Sequence, residues 1–186
     1  MKNMLIKEIR TLPIPYILGL PIIIIMLVVL QGAQTEAFDL LRRSLLIIFG
    51  YIAAVIDVRS KRIPNKLVIT MLIAWVLIMT SIIIADIEYS INRLADSVLG
   101  FALGGGIFVL VYAISRKGLG GGDVKFMAAS GLYLGVGGVL PAIFIGTVLA
   151  ALVGLVLILT KKIKRKDPIP LAPFLFAGVL ITIFLS

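Results

Sequence analysis

The chain has 186 residues, of which 61% are hydrophobic and 15% charged, with 18 basic and 9 acidic side chains. Soluble domains carry about 25% charged and about 45–50% apolar residues, so this composition excludes an ordinary water-soluble enzyme. The sequence has neither cysteine nor histidine, which excludes thiol nucleophiles, serine–histidine catalysis and metal sites built from those residues.

Uncharged stretches predict the elements in chain order, because a helix that crosses a bilayer needs roughly 20 apolar residues. The stretch 126–160 is too long for one span, and three glycines and a proline within it predict a tight turn between two helices. These residues are Gly135, Gly137, Gly138 and Pro141. We therefore expect an all-α bundle in one membrane domain, 1–186, with about seven spans. The spans cover 13–31, 40–57, 66–85, 95–115, 122–137, 139–160 and 170–185.

The charges in the loops predict the orientation of these spans. With the N-terminus in the cytoplasm, 15 of the 18 basic residues fall on the cytoplasmic side, and only Arg42, Arg43 and Arg93 do not. This positive-inside pattern predicts a multi-pass protein of the plasma membrane, in contact with anionic lipids. It also accounts for the net charge of +9, so this charge does not indicate a nucleic-acid partner, and we expect no binding of nucleic acid.

Glycines are concentrated in the second half of the chain. Pairs spaced by four residues predict close packing of helices through small side chains. These pairs are Gly100 with Gly104 and Gly131 with Gly135. A further cluster, 118–122, lies at a predicted membrane border directly before Asp123, where glycine allows another chain to approach closely.

Two acidic residues, Asp57 and Asp123, are expected at the cytoplasmic border. A carboxylate there is costly and indicates a functional site. Each acid could instead pair with a nearby cation, namely Asp57 with Arg59, Lys61 or Arg62 and Asp123 with Lys125. Two facing carboxylates can share one proton. The ionised group then takes a proton from water, which attacks a carbonyl, while the protonated group donates to the carbonyl oxygen or the leaving amine. This chemistry hydrolyses a peptide without histidine, cysteine or metal.

The residues around both acids resemble a known family. Gly120-Gly121-Gly122-Asp123 is similar to the Gly-x-Gly-Asp motif of membrane-embedded aspartic proteases, and Asp123-Val124-Lys125 extends it as in type IV prepilin peptidases and archaeal preflagellin peptidases. Asp57 with the later Ile63-Pro64-Asn65 resembles the family's first catalytic aspartate and its downstream element. The segment 169–175, which includes Pro170 and Pro173, resembles a late Pro-Phe-Gly-Pro-Phe-Leu element.

The resemblance implies a small aspartic endopeptidase that cleaves short basic leaders from prepilin-like or preflagellin-like proteins at the cytoplasmic border, as in type IV pilus assembly and secretion. It implies Asp57 and Asp123 as catalytic residues, with no metal and no cofactor. Large members that also methylate the new N-terminus carry Cys-x-x-Cys motifs in an N-terminal domain. This chain has no cysteine, so we expect no N-methyltransferase activity. The alternatives are a proton-coupled transporter that uses the same acids and an inactive scaffold.

Two glycines and a lysine near Asp123 are predicted to support the site. Gly120 and Gly122 would let the backbone of a substrate pass close to Asp123, or would make a flexible start to the helix. Lys125 does not share the helical face of Asp123, and it would anchor the helix at the lipid headgroups.

Pro64, Asn65, Pro170 and Pro173 are predicted to shape the ends of helices near the acids. Pro64 and Asn65 would start the third span, with Asn65 as its cap. Pro170 and Pro173 would either begin the last helix or form a wall of the active site.

Overall fold

A computed structural model of the chain describes residues 14–31, 36–115, 118–163, 167 and 169–186. The described residues form helices and short connections without a strand, which confirms the all-α prediction. The basic residues of the N-terminus, the first position of the predicted span 13–31 and Lys164 to Lys166 lie outside them. The helices are α1 (Ile14–Gln31), α2 (Ala37–Ser60), α3 (Asn65–Ala85), α4 (Ile87–Ile114), α5 (Gly121–Leu159) and α6 (Ala172–Leu185).

Three of the described helices are long and apolar enough to cross a membrane, namely α3, α4 and α5. The helix α6 is apolar but has only 14 residues, and α1 is an apolar helix of 18 residues that ends at Gln31. The helix α2 is less apolar because Asp39, Arg42 and Arg43 lie near its start.

The helix α5 is kinked at Gly135, which divides its 39 residues into two segments. Gly135 has a φ of 68° and a ψ of −173°, a conformation that glycine adopts without strain. A Cβ atom at this position would collide with the carboxylate of Asp96. The other oxygen of Asp96, Oδ1, accepts a hydrogen bond of 3.0 Å from the Val136 N–H, the first amide after the kink.

The predicted division of the stretch 126–160 is therefore present, but its form differs from the prediction. One glycine makes the break, and the helix continues through Gly137, Gly138 and Pro141 instead of forming a turn there. The sequence could not show that Asp96, on α4, satisfies the amide that the kink exposes.

The helices α4 and α5 pack closely through glycines. A Cβ atom on Gly100 would collide with the carbonyl oxygen of Gly131, and a Cβ atom on Gly131 would collide with that of Gly100. A Cβ atom on Gly104 would lie 2.6 Å from the carbonyl oxygen of Met127. These contacts confirm the predicted close packing, and they fix the first segment of α5, which begins just before Asp123.

Side chains also link α3 to the first segment of α5 through backbone carbonyls. The Trp75 Nε1–H donates to the Leu132 carbonyl at 3.0 Å, and the Tyr133 hydroxyl donates to the Met71 carbonyl at 2.6 Å. Both side chains are buried, so these bonds satisfy donors that would otherwise be unpaired in an apolar core.

A group of polar residues, which we call the polar cluster, joins the starts of α2 and α4. Asp39 forms ion pairs with Arg42 at 3.0 Å and with Arg93 at 2.9 Å. The Tyr89 hydroxyl donates to Glu36 at 2.6 Å, and the guanidinium of Arg93 lies 5.0 Å from the centre of the Tyr89 ring. The cluster fixes the end of the bundle where α2 begins.

Candidate active site

Asp57 lies in the last turn of α2 and is only 4% exposed. The helix stops there because Lys61 adopts a left-handed conformation with a φ of 50°, and its N–H donates to the Asp57 carbonyl at 2.8 Å. The C-terminal end of a helix carries partial negative charge, so an acidic side chain at this position needs donors from elsewhere.

The start of α6 supplies such a donor. The Ala172 N–H, at the first residue of α6, donates to Asp57 Oδ2 at 3.0 Å. The N-cap residue of α6 makes no side-chain cap bond of its own. Asp57 therefore caps the start of α6, although it lies far from α6 in the chain. Pro173 is the second residue of α6, and Pro170 lies in the segment just before it. Both prolines thus lie where the last helix begins, on either side of the amide that bonds to Asp57.

Asp123 is the third residue of α5 and is 8% exposed. A Cβ atom on Gly120, the N-cap residue, would lie 2.6 Å from Asp123 Oδ2, so this oxygen lies close to the start of its own helix. The other oxygen, Oδ1, is buried and has no hydrogen-bond partner among the described residues.

Contacts between the loop after α2 and the start of α5 bring the two acids to one end of the bundle. A Cβ atom on Gly122 would lie 3.0 Å from the Cβ atom of Ile63, so the two backbones pack closely there. The structure thus places two buried carboxylates from separate helices at the same end of the bundle.

A side chain at position 120 would be too close to the Asp123 carboxylate, and one at position 122 would be too close to Ile63. Packing within the protein therefore accounts for both Gly120 and Gly122. Gly121, between them, is exposed, and a Cβ atom added to it would have no atom within 4 Å. The predicted passage of a substrate backbone along this cluster stays a prediction, and Gly121 is its most open point.

Asn65 does not act as the predicted cap of α3. Pro64 occupies the N-cap position in an extended conformation, with no side-chain cap bond, and Asn65 is the first helical residue. The amide oxygen of Asn65 instead accepts a hydrogen bond of 2.9 Å from Lys125 Nζ. The prediction was wrong because this bond joins α3 to α5, a contact that local sequence does not reveal. Lys125 therefore also holds these two helices together.

The alternative of an ion pair for each acid is not observed in the described part of the chain. The acid that pairs with Arg42 and Arg93 is Asp39, near the other end of α2. Lys125, the cation nearest Asp123 in sequence, bonds to Asn65. No group of three or more acidic residues that could hold a metal ion occurs among the described residues.

Two parts of this site were missed by the sequence reasoning. The first is the backbone amide of Ala172, which lies between the two prolines that the late motif contains. Prolines flanking a helix start could have indicated free amides there. The second is Ile63, whose contact with the start of α5 nothing in the sequence indicated beyond its position before Pro64.

The comparison with known families agrees with this geometry. The sequence pattern described as "Type IV leader peptidase family" matches residues 44–155, which include both acids. The chain belongs to the type IV leader peptidase family. The family prediction from the motifs is thereby confirmed.

Curated relatives carry the name prepilin leader peptidase/N-methyltransferase. The chain is 33% identical over 130 residues to one from Bacillus subtilis, covering 70% of this chain and 50% of that protein. It is 29% identical over 137 residues to one from Xanthomonas campestris, covering 69% of this chain and 44% of that protein. The chain thus spans about half the length of the curated relatives it matches. No solved structure matches it significantly.

Proposed function

We propose that the chain is a membrane-embedded aspartic endopeptidase that removes short basic leader peptides from prepilin-like or preflagellin-like proteins. The observation that carries the proposal is the pair of buried carboxylates, Asp57 and Asp123, at one end of the bundle and on separate helices. Family membership and the printed names of the relatives support the choice of reaction and substrate.

Asp57 and Asp123 together supply the acid and the base of the reaction. In an apolar site, two neighbouring carboxyl groups favour a state in which they share one proton. The ionised group takes a proton from water as the water oxygen bonds to the peptide carbonyl carbon. The protonated group donates to the carbonyl oxygen, and a proton then passes to the amine as the C–N bond breaks. The proton belongs to the pair, so neither role is assigned to one residue.

In this proposal, the bundle has seven membrane-crossing segments, and the acids lie at its cytoplasmic end. Basic residues are exposed around that end, among them Lys61, Arg62 and Lys125, whereas exposed acids such as Asp86 and Glu88 lie at the other end. This distribution supports the positive-inside orientation. The kink at Gly135 supports counting α5 as two segments.

The substrate has to unwind at this border before it can be cut. A helix hydrogen-bonds its own carbonyl groups and so shields them from attack within a membrane. The exposed Gly121, two residues before Asp123, offers open space for an extended backbone.

The direct test is a cleavage assay with the purified chain in liposomes and a prepilin-like substrate. We expect one cut after the basic leader, identified by sequencing the new N-terminus. The same product, weighed by mass spectrometry, reports methylation, which we do not expect because the chain lacks cysteine. Failure to cut any leader, with a folded protein, would contradict the proposal.

The convergence of the acids can be tested separately from activity. The sequence has no cysteine, so Asp57→Cys with Asp123→Cys introduces the only two thiols. We expect a short bifunctional thiol reagent to join them, which is seen as a peptide cross-link after digestion. A pair with Asp39→Cys and Asp123→Cys is the control, and it should not react because Asp39 and Asp57 lie roughly 27 Å apart along α2.

The proton-coupled transporter is distinguished by a flux measurement. Liposomes that hold the wild-type chain and a pH-sensitive dye should show no proton uptake when leader-bearing substrate is added. Uptake that depends on Asp57 and Asp123 would favour the transporter instead.

A further inference from the structure

A cavity of about 380 Å³ lies at the end of the bundle opposite the two acids. It is formed by the start of α2, the part of α5 after the kink and the end of α6. Arg43, in its wall, precedes Asp57 by almost four helical turns, or roughly 21 Å along α2. We call this cavity the arginine pocket, after Arg42 and Arg43, which both line it.

A buried hydroxyl in this pocket has no partner. Thr182 is 6% exposed, lines the pocket, and its Oγ1 makes no hydrogen bond within the described chain. Other threonines on the described helices bond to the carbonyl four residues earlier. These are Thr70, Thr80, Thr147 and Thr160. Leaving a buried hydroxyl unpaired costs about 1–3 kcal/mol, so the exception at Thr182 points to a group that it bonds when the pocket is filled.

The two arginines give the pocket a positive wall. Arg42 pairs with Asp39 through Nη2, but its buried Nε has no hydrogen-bond partner among the described residues. Arg43 extends toward the end of α6, where Nη1 donates to the Ile183 carbonyl at 3.5 Å. The residues that line the pocket include no Asp or Glu, but they include Ser186, the last residue, which carries a backbone carboxylate. Guanidinium groups bind phosphate well, because their planar donors match its oxygens.

The helix segment that follows the kink lines the pocket with Gly137 and Gly138. Its first amide, the Val136 N–H, is already bonded to Asp96. The remaining wall is apolar and includes Pro141, Ile145 and Leu185. The pocket thus combines anion-binding groups with an apolar side.

We propose that the arginine pocket binds a phosphate group, either the headgroup of an anionic phospholipid or a free phosphate ester. The guanidinium groups of Arg42 and Arg43 and the Thr182 hydroxyl are the ligands, and the apolar wall contacts the carbon chain of a lipid. This site is separate from the acids, so its test does not depend on peptidase activity.

The experiment titrates the purified full chain in detergent with phosphatidylglycerol or phosphatidylcholine of the same acyl chains, and native mass spectrometry counts the bound lipid. We expect phosphatidylglycerol to bind about tenfold more tightly. Arg43→Gln and Thr182→Val should each remove most of this preference. Lys162→Gln and Thr80→Val are the matched controls, since both residues are exposed and lie outside the pocket. They should keep the preference.

A competition arm separates the two sources of phosphate. If glycerol 3-phosphate displaces phosphatidylglycerol from the wild-type chain, and this displacement is lost in Arg43→Gln, the result supports a free phosphate ester as a ligand. Phosphatidylglycerol binding that resists this competitor supports a lipid. An unchanged preference in Arg43→Gln and Thr182→Val, or an equal loss in Lys162→Gln, would overturn the proposal. Circular dichroism checks folding, and Arg43→Lys, which keeps the charge, replaces Arg43→Gln if that variant misfolds.

Discussion

The two ends of α2 use the same type of side chain for different purposes. Near its start, Asp39 is bound by two guanidinium groups, at 3.0 and 2.9 Å. Near its end, Asp57 is buried more deeply and receives a backbone amide, without an ion pair in the described part of the chain. A carboxylate neutralised by arginines cannot easily exchange a proton, whereas one that faces another carboxylate can. The difference separates an acid that holds helices together from acids suited to chemistry.

The largest effect is expected when the acids of the site lose the ability to ionise. Asp57→Asn and Asp123→Asn should each lower the cleavage rate by about a thousandfold or more, because an amide neither accepts nor donates the catalytic proton. Both variants should stay folded, since an asparagine at position 57 can still accept the Ala172 N–H that caps α6, and Asp123 Oδ1 has no hydrogen bond to lose within the described chain. Cleavage of a prepilin-like substrate in liposomes and the thermal unfolding midpoint measure the two properties.

The matched variant at the other end of α2 is Asp39→Asn. It should keep cleavage within about threefold of wild type while lowering the unfolding midpoint, because it weakens two ion pairs. Cleavage that survives in Asp57→Asn, or that disappears in Asp39→Asn, would remove the distinction between the two ends.

A smaller loss of activity is expected from Gly120→Ala. The backbone at Gly120, with a φ of −71° and a ψ of 133°, suits alanine, so the methyl group acts only through contact with Asp123 Oδ2, which it would approach to 2.6 Å. A displaced catalytic group typically slows a reaction by about 10- to 100-fold. The ratio kcat/KM in the cleavage assay measures this loss.

Gly121→Ala provides the control for that substitution. A Cβ atom there meets no atom within 4 Å, so the position of Asp123 should not change. Equal losses in both variants would indicate that the glycines act through helix flexibility, the alternative that the sequence left open, and not through the placement of the carboxylate.

The sequence was sufficient to predict that the two acids lie at one end of the bundle, because that position depends on local features. Charged residues border the apolar stretches, so the end of α2 with Asp57 and the start of α5 with Asp123 could both be assigned to the basic side. A division of the stretch 126–160 was predicted in the same way, from glycines in a stretch too long for one span, but as a turn and not as a kink at Gly135.

What the sequence could not show depends on how each helix is rotated about its axis. The bond between Ala172 and Asp57, and that between Lys125 and Asn65, join residues far apart in the chain. Their formation requires particular helix faces to meet. Hydropathy fixes the length and direction of such apolar helices but leaves their rotation undetermined, since nearly every face is apolar. The pairing of Asp39 with Arg93 was missed for the same reason.

At the polar cluster, the expected effects concern stability. Arg93→Gln removes both hydrogen bonds to Asp39, of 3.0 and 2.9 Å, and leaves Arg42 as the remaining partner of that half-buried carboxylate. We expect a loss of about 1–2 kcal/mol in the free energy of unfolding, without a loss of cleavage. Unfolding in detergent, followed by circular dichroism, measures it. Lys162→Gln, which removes an exposed charge elsewhere, is the control, and a defect in cleavage would mean that this cluster also shapes the site.

The smallest effect is expected from Tyr89→Phe. The hydroxyl donates to Glu36 at 2.6 Å, but the bond is exposed, so water replaces it when it is lost. The ring stays in place beneath Arg93, and the cation–π contact at 5.0 Å is kept. We therefore expect a loss of about 0.5 kcal/mol or less, and no further loss when Glu36→Gln is added to the same chain. A loss as large as that of Arg93→Gln would show that Tyr89 is part of the ion-paired network and not only a support for Arg93. In that case the whole cluster would act as one unit that fixes α2 against α4.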